Sequence, residues 1–463
     1  MKKTLTKTLL SSALLLTTAG VNAAAFQLAE ISTSGLGRAY AGEAAIADNA
    51  SVVATNPAGM SLFQRPEISV GAIYVDPHID VEGTTQAWSN TSGLTSVDAS
   101  HKNIASNSIV PNLYAIYPIN EKFSVGGGMN VNYGLSTEYN KGYSAGFLAG
   151  NTELKAFNFN LSGAYRITEH LSAGLGFNAV YADAKIERFA GTLPGPAMYA
   201  ATYRAALARM GSAAASTAAG QAAAQSAAVA AANNAAAISS DTLLRKIEGN
   251  EWGFGWNAGL MYEVNKNNRF GLAYHSRVDI DFDGQYSDAG SAILGALAQG
   301  NQPGSLTLPL PAYWEFSGYH KVTDKLALHY SYKYTQWDKF TELRATGRSG
   351  NELFQKDEKF RNSSRIALGA TYDINEKLTM RAGIAFDESA AQDHHSLSIP
   401  DTDRTWYSLG ATYRFTPDLS VDLGYAYLHG SKVSFTETQS GLVSRFTSKA
   451  HANLYGLNLN YRF

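Results

Sequence analysis

The sequence predicts an all-β protein, a 14-stranded antiparallel transmembrane β-barrel that is plugged by an N-terminal segment with short helices. Three observations predict this fold. Long stretches alternate apolar with polar or small residues, short polar turns alternate with long connections, and residues 26–60, which precede these stretches, do not alternate. A strand that crosses a bilayer needs about ten alternating residues, because every backbone group must be paired there.

The first 23 residues form a predicted secretory signal. Lysines begin it, Leu9 to Leu16 form its apolar centre, and Val21, Asn22 and Ala23 precede the expected cleavage. The apolar run is too short to span a bilayer as a helix. The chain has a formal net charge of −2, and loss of the signal removes three lysines, so no basic face for nucleic acid is expected. Because cysteine is absent, disulfides and thiolate metal sites are excluded.

Residues 24–65 are predicted to be the plug and 66–463 the barrel. Within the plug, helices are expected at 38–47 and 51–56, the second of them capped by Ser51 or Asn49 and limited by Pro57. The predicted strands are 66–76, 108–119, 122–138, 154–167, 171–188, 248–264, 269–284, 305–322, 325–341, 357–374, 377–388, 402–415, 419–436 and 444–463.

Six short polar turns join these strands in pairs, at 120–122, 168–170, 265–268, 323–325, 375–377 and 416–418. Six turns and two free ends on one side give an even strand count, as a bacterial barrel requires. A barrel of this size has room for a plug and an elongated ligand, whereas about eight strands would be filled by side chains.

The last strand shows the alternation most clearly. One face of it carries Tyr455, Leu457, Leu459, Tyr461 and Phe463. A soluble sandwich also alternates, but its outer face is polar and its strands are shorter, so an aromatic-rich face on long strands favours lipid outside. An ending in Phe463 resembles the terminal signal by which the barrel-assembly machinery recognises its substrates.

Two outer loops stand out. The loop at 192–247 is rich in alanine, so helix is its natural state, and Tyr199, Tyr203, Leu207 and Met210 are spaced to share one helical face. The loop at 287–304 carries Ile293, Leu294 and Leu297. An apolar lip that captures greasy substrate and a low-complexity insertion that tolerates drift both remain open for the first loop.

Several segments, in order along the chain, resemble the FadL family, the outer-membrane transporters of long-chain fatty acids. They are SGLGRAYAGEAAIADNA (34–50), NPAGM (56–60), NLSGAYRI (160–167), GLGFNAVYADAKIERFAG (174–191), NEWGFGWNAGLMYE (250–263), LFQK (353–356), RIALGATY (365–372), GIAFDES (383–389) and SIPDTDR (398–404). The resemblance covers essentially the whole mature chain and implies that the plug is the hatch of that family.

The resemblance also implies roles for individual residues. Arg188 and Lys356 match the cations near the carboxylate of a bound fatty acid, and Asp387 matches an aspartate near the hatch. Without the family, a solvated rim charge is the commoner interpretation of each cation, and a turn-end acid is as good an interpretation of Asp387. Gating is assigned to Asn56, Pro57 and Ala58 in the hatch and to Asn132 and Gly134 where the third strand is kinked inward. An outer hydrophobic groove is assigned to Tyr203, Leu207, Met210, Ile293, Leu294 and Leu297.

The implied function is uptake of long-chain fatty acids by binding in an apolar pocket, hatch rearrangement and passive diffusion through an opening in the barrel wall. The alternative is transport of aromatic or other hydrophobic hydrocarbons by the same fold. A general porin is disfavoured because a plug would obstruct a water-filled pore, and no motif calls for an enzyme, a metal or a cofactor. We expect a monomer in the outer membrane of a Gram-negative bacterium, in contact with membrane lipid and lipopolysaccharide.

Overall fold

A computed structural model describes residues 26–290, 293 and 298–463. Its sheet closes on itself, because the first strand pairs antiparallel with the last, from Glu67 opposite Arg462 to Thr84 opposite Arg445. The barrel has fourteen strands, which confirms the predicted fold class.

Twenty strand segments build these fourteen strands, several of which are interrupted once. The segments are β1 (Glu67–Ser89), β2 (Gly93–Asp98), β3 (Ser108–Pro118), β4 (Phe123–Glu138), β5 (Asn151–Arg166), β6 (Leu171–Phe189), β7 (Leu243–Asn265), β8 (Asn268–His275), β9 (Val278–Asp288), β10 (Gln302–Leu310), β11 (Tyr313–Lys321), β12 (Leu326–Thr335), β13 (Glu342–Gly347), β14 (Glu352–Asp357), β15 (Ser363–Asp373), β16 (Leu378–Asp387), β17 (Arg404–Arg414), β18 (Leu419–Gly430), β19 (Val433–Gln439) and β20 (Leu442–Arg462).

The alternating residues face outward and inward as the sequence pattern indicates. On β20, Leu457 is 58% exposed whereas its neighbour Asn458 is 1% exposed. All six short turns are present, at one end of the barrel that we call the turn end. The long connections lie at the opposite end, which we call the loop end.

The first strand is longer than the sequence pattern predicts. The pattern ends it at residue 76, but β1 continues to Ser89 and folds back as β2. Beyond Tyr74 the outward positions of β1 carry Asp76, His78 and further polar residues, so the lipid-facing alternation is lost. Pairing with β20 nevertheless continues, because backbone hydrogen bonds do not depend on a greasy outer face.

Residues 26–66, which we call the N-terminal segment, are largely buried inside the barrel. The segment contains two one-turn α-helices, α1 (Thr33–Leu36) and α2 (Val52–Thr55), and a 3₁₀ helix at Pro57–Leu62. The second helix overlaps the predicted one, and the Asn49 side chain accepts a hydrogen bond from the amide of Ser51, 2.9 Å away.

The helix predicted at 38–47 is wrong, since residues 37–45 form a series of turns. Arg38 is 2% exposed, and its guanidinium donates to Glu43 Oε1 at 2.7 Å and Asp48 Oδ2 at 2.9 Å. Ala39 and Tyr40 adopt left-handed backbone angles, with φ of 52° and 53°. A buried charge must be paired, so the chain wraps around the guanidinium and the helix propensity of the alanines is overridden.

Glycines of the barrel wall let the N-terminal segment approach the strands backbone to backbone. A Cβ added to Gly271 on β8 would lie 1.7 Å from the carbonyl oxygen of Ala44. A Cβ added to Gly383 on β16 would lie 2.2 Å from the carbonyl carbon of Arg38. No side chain fits at these wall positions while the segment stays in place.

The alanine-rich loop holds two helices, α3 (Pro194–Ala215), which breaks at Gly211, and α4 (Ala218–Ala235). Trp88 on β1 ties them to the barrel: its ring stacks on Tyr199 at 4.8 Å between centroids, and its Nε1 donates to Asn233 at 2.8 Å. Within the described ranges, no helix is long and apolar enough to cross a membrane.

The fit at the wall predicts a position-specific effect of one methyl group. Gly271→Ala should displace the N-terminal segment, lower the unfolding temperature and speed proteolysis within residues 26–66 several-fold, because overpacking costs roughly 1–3 kcal/mol. Limited proteolysis and thermal unfolding of the purified protein measure this. The control is Gly163→Ala on β5, where the added Cβ meets nothing closer than 3.9 Å. Equal behaviour of the two variants would contradict the proposed fit.

Candidate functional site

An apolar cavity of about 60 Å³ lies inside the barrel towards the loop end, with room for only a few water-sized groups. Its walls come from strands on both sides of the barrel and from the connection between β16 and β17. The apolar lining includes Phe26, Leu135, Leu154, Ile186, Phe282, Leu308, Phe340, Leu343, Leu353 and Ile399.

Phe26 of the N-terminal segment closes the cavity from within. Its ring meets Trp337 edge-on at 4.8 Å and Phe340 at 5.4 Å between centroids, and only 1% of the residue is exposed. The Phe26 ring therefore forms part of the cavity wall.

The barrel wall is interrupted beside Phe26. Strand β4 pairs with β3 only as far as Met129 opposite Leu113, and the two chains meet again in an isolated bridge between Thr137 and Ala105. On the other side, the pairing of β4 with β5 shifts register between Val131 and Tyr133. The wall thus has a gap between β3 and β4 with a bulge in β4 at its edge.

The free edge of β4 in this gap is hydrogen-bonded to the N-terminal segment. The amide of Gly134 donates to the carbonyl of Phe26 at 2.9 Å, and the amide of Leu28 donates to the carbonyl of Asn132 at 2.8 Å. Of the two residues to which the sequence resemblance assigns gating here, Gly134 therefore contacts Phe26, which lines the cavity, and Asn132 contacts the nearby Leu28.

The other assigned gating residues, Asn56, Pro57 and Ala58, contact a different part of the wall. The Asn56 side chain donates to the carbonyls of Ala44 at 2.7 Å and Leu260 at 3.0 Å, and it accepts from the amide of Ala58. A Cβ on Gly174 of β6 would lie 2.4 Å from the nitrogen of Ala58. The structure does not bring these three residues to the gap in the wall.

Arg188, at the loop end of β6, adjoins the cavity. It is 4% exposed, and its Nη1 donates to the Thr152 hydroxyl at 3.2 Å and to the Glu187 carbonyl at 2.9 Å. Thr152 itself lines the cavity. Nη2 of Arg188 is buried and has no hydrogen-bond partner among the described residues, so one donor is available to a ligand.

Lys356, on β14, lies near the same acidic side chains as Arg188. Its ammonium donates to the Ser398 hydroxyl and lies 3.9 Å from carboxylate oxygens of both Glu358 and Glu437. The same two carboxylates act electrostatically on Arg188. The structure therefore brings the two predicted cations together around a pair of acids.

Glu358 and Glu437 are site residues that sequence reasoning missed. Glu358 is fully buried between β14 and β15, above the lipid-facing part of the barrel, and burial raises its pKa to about 7 although Lys356 opposes the shift. A signal for Glu437 existed, because it shares the inner face of β19 with Val433 and Phe435. The described residues contain no group of three or more His, Cys, Asp and Glu that could hold a metal ion.

Asp387 belongs to a second buried cluster, next to the N-terminal segment. It lies 3.7 Å from Arg404, which also attracts the fully buried Glu30. Burial raises the pKa of Glu30 to about 7, against the effect of backbone hydrogen bonds and of Arg404. The structure thus separates Asp387 from the pair of cations and places it beside the plug.

The assigned outer groove is partly described. Tyr203 stacks on Tyr199 at 6.0 Å, and Leu207 and Met210 are half-buried on the same helix. Ile293 packs against an apolar cluster of the loop end that includes Tyr143. Leu294 and Leu297 lie outside the described residues.

Comparison with known proteins gives relatives along the whole chain. A 47 kDa outer membrane protein of Pasteurella multocida is 56% identical over 99% of this chain and 98% of its own length. Outer membrane protein P1 of Haemophilus influenzae is 50% identical, and the long-chain fatty acid transport protein of Escherichia coli K12 is 46% identical, each over 100% of both chains.

Solved structures share the fold. A Pseudomonas aeruginosa FadL homologue superposes with a TM-score of 0.79 at 21% identity, over 95% of this chain and 100% of its own. The Pseudomonas putida toluene transporter TodX gives a TM-score of 0.64 at 14% identity, over the same shares.

A family model described as outer membrane protein transport protein (OMPP1/FadL/TodX) matches residues 14–463. The barrel architecture and the outer-membrane relatives agree with it, and they place the protein in the outer membrane of a Gram-negative bacterium. This chain therefore belongs to the OMPP1/FadL/TodX family of outer-membrane transport proteins.

Proposed function

We propose that this protein takes up long-chain fatty acids by passive diffusion, without catalysis. One observation carries the proposal: an apolar cavity lies next to a buried arginine and a largely buried lysine, and it is lined by Phe26, whose backbone is hydrogen-bonded to the edge of a gap in the wall. The name of the Escherichia coli relative, a long-chain fatty acid transport protein, supports the same substrate class.

The energetics divide the work between the cavity and the cations. Burying an acyl chain of about sixteen carbons at roughly 0.8 kcal/mol per methylene contributes on the order of 12 kcal/mol before ordering terms. A hydrogen bond from a charged group at this buried site contributes about 1.5–3 kcal/mol. The apolar lining therefore supplies affinity, and Arg188 and Lys356 supply orientation and the preference for an anionic head.

The route of the substrate follows from the contacts of Phe26 that a bound acyl chain would break. The cavity is too small for a long acyl chain until the Phe26 ring leaves it. Movement of Phe26 pulls on the two backbone bonds to Asn132 and Gly134, so filling the cavity frees the edge of the gap. Substrate captured at the outer groove then passes through the cavity and out sideways, while Asn56, Pro57 and Ala58 keep the rest of the segment anchored.

The runner-up function is transport of aromatic hydrocarbons, since TodX is described as a toluene transporter. The similarity between TodX and this chain, at 14% sequence identity, is a similarity of fold alone. The buried Arg188 with Lys356 nearby favours an acid, because a hydrocarbon offers no partner for the free donor of Arg188.

Neutralising both cations should weaken acids selectively. The double variant Arg188→Gln, Lys356→Gln should bind oleate at least about tenfold more weakly, a loss of about 1.4 kcal/mol or more, and oleyl alcohol within about twofold of the parent. Competition against a labelled fatty acid on the purified protein measures both. The control is Lys449→Gln, which removes an exposed, ion-paired lysine on β20. Equal losses for acid and alcohol would refute the headgroup role.

Locking the N-terminal segment to β4 should block transport and spare the barrel. Gln27 and Tyr133 form an antiparallel bridge whose flanking hydrogen bonds make them a non-hydrogen-bonded pair, where Cα atoms lie about 4.5 Å apart and a disulfide fits. The variant Gln27→Cys, Tyr133→Cys should lose uptake of labelled oleate when oxidised and regain it on reduction.

The chain has no cysteine of its own, so the bond forms only at the chosen pair. The two single variants, treated with the same oxidant, are the controls and should keep their uptake. Undiminished uptake by the fully oxidised double variant would show that substrate does not pass this way.

A further inference from the structure

The candidate site for the ligand's headgroup, next to the apolar cavity, contains as many acidic as basic side chains. Two cations, Arg188 and Lys356, face two carboxylates, Glu358 and Glu437. With all four ionised the cluster is neutral. A fatty-acid carboxylate that joins it leaves one net negative charge in a place where the exposed fractions are 4% for Arg188 and 0% for Glu358.

The remaining groups around the cluster do not neutralise that charge. Tyr139 and Tyr143, from the connection between β4 and β5, approach it as neutral phenols, and the Glu437 carboxylate helps to raise the pKa of both. Ser396 donates to Glu358 at 3.4 Å, Ser398 accepts from Lys356, and the amide of Leu397 donates to Glu437. His101 stacks edge-on against Tyr139, one ring further out. Asp98 also acts on Tyr143, and adds another acid.

Glu358 is also poorly held as an anion. Its Oε1 has no hydrogen-bond partner among the described residues, and its contact with Lys356 is a long 3.9 Å that Lys356 shares with Glu437. An isolated buried carboxylate next to another one is the group that accepts a proton most readily when a further anion arrives.

We propose that an anionic substrate binds here together with one proton from solvent, which the Glu358 and Glu437 pair takes up as the ligand's anionic head reaches Lys356 and Arg188. This inference rests on the proposed function and adds to it that the two glutamates set the selectivity between charged and neutral ligands. No bond other than that of the proton to a carboxylate oxygen forms, and the proton comes from water or buffer.

The pH dependence of anion binding follows from the protonation state of the Glu358 and Glu437 pair before the ligand binds. Well below pH 7 Glu358 already carries its proton, so the cluster is positive and an anion binds without further uptake. Above pH 7 the proton must be taken up on binding, so the affinity for an anion falls by up to tenfold per pH unit. A neutral ligand of equal length shows no such dependence.

Calorimetry of the whole protein in lipid nanodiscs tests this with three ten-carbon probes: decanoate, decanesulfonate and decanol. Titrations at pH 8 in two buffers of different ionisation enthalpy count the protons taken up. We expect close to one proton for both anions, none for decanol, and less than half a proton for the anions at pH 6. Decanesulfonate is included because a sulfonate stays ionised at these pH values, so any proton taken up with it must bind to the protein, whereas decanoate could bind the proton itself.

The variant Glu358→Gln, Glu437→Gln should bind both anions without uptake and at least tenfold more tightly at pH 8, with decanol unchanged as the check on folding. Glu82→Gln, an exposed glutamate paired with Lys449, should behave as the parent. Binding of all three probes by the parent protein without uptake, or uptake that persists in the double variant, overturns this inference alone. Absence of binding of oleate as well as of these three probes overturns the proposed function too.

Discussion

Bare backbone on the barrel wall is the constraint on which the rest of this structure depends. At Gly271, Gly383 and Gly410 the N-terminal segment approaches so closely that no side chain fits, and Arg38 with its two acids fixes the turn between these contacts. A segment held this firmly places Phe26 in the cavity and its carbonyl against β4. The cavity, the gap and the stopper therefore form one unit rather than three independent features.

Most of the barrel was predictable because the membrane imposes a rule on every strand. Lipid outside and a polar lumen inside force alternation, and the tight connections at the turn end need their Asn, Asp, Thr and Lys residues, so fourteen strands and six turns follow from the pattern. Beyond the lipid-facing part of the barrel, the outward positions of a strand no longer have to be apolar. The outer half of β1, from Asp76 to Thr84, pairs with β20 just as regularly, but its outward positions are polar.

The interior was harder to predict because charges there are paired through space. Alanines at 44, 45 and 47 favour a helix, but the need to satisfy the buried Arg38 is worth more than their propensity. Arg188 and Lys356 were found through resemblance, since each by itself looks like a rim charge. Glu358 and Glu437 come from different strands, and only the folded barrel shows that they share Lys356.

The seam between β1 and β20 has a kinetic consequence. Residues 67 and 462 are partners, so the sheet stays open until the final strand has been made and delivered. Loop-closure entropy and the large sequence separation of these contacts make that step slow. The N-terminal segment touches β4, β6, β8, β16, β17 and β20, which are distributed around the circumference, so its contacts with the wall are complete only when the seam has closed. The barrel therefore closes around its own N-terminal segment, and a barrel that closed without it would leave the wall glycines without the backbone that fills the space next to them.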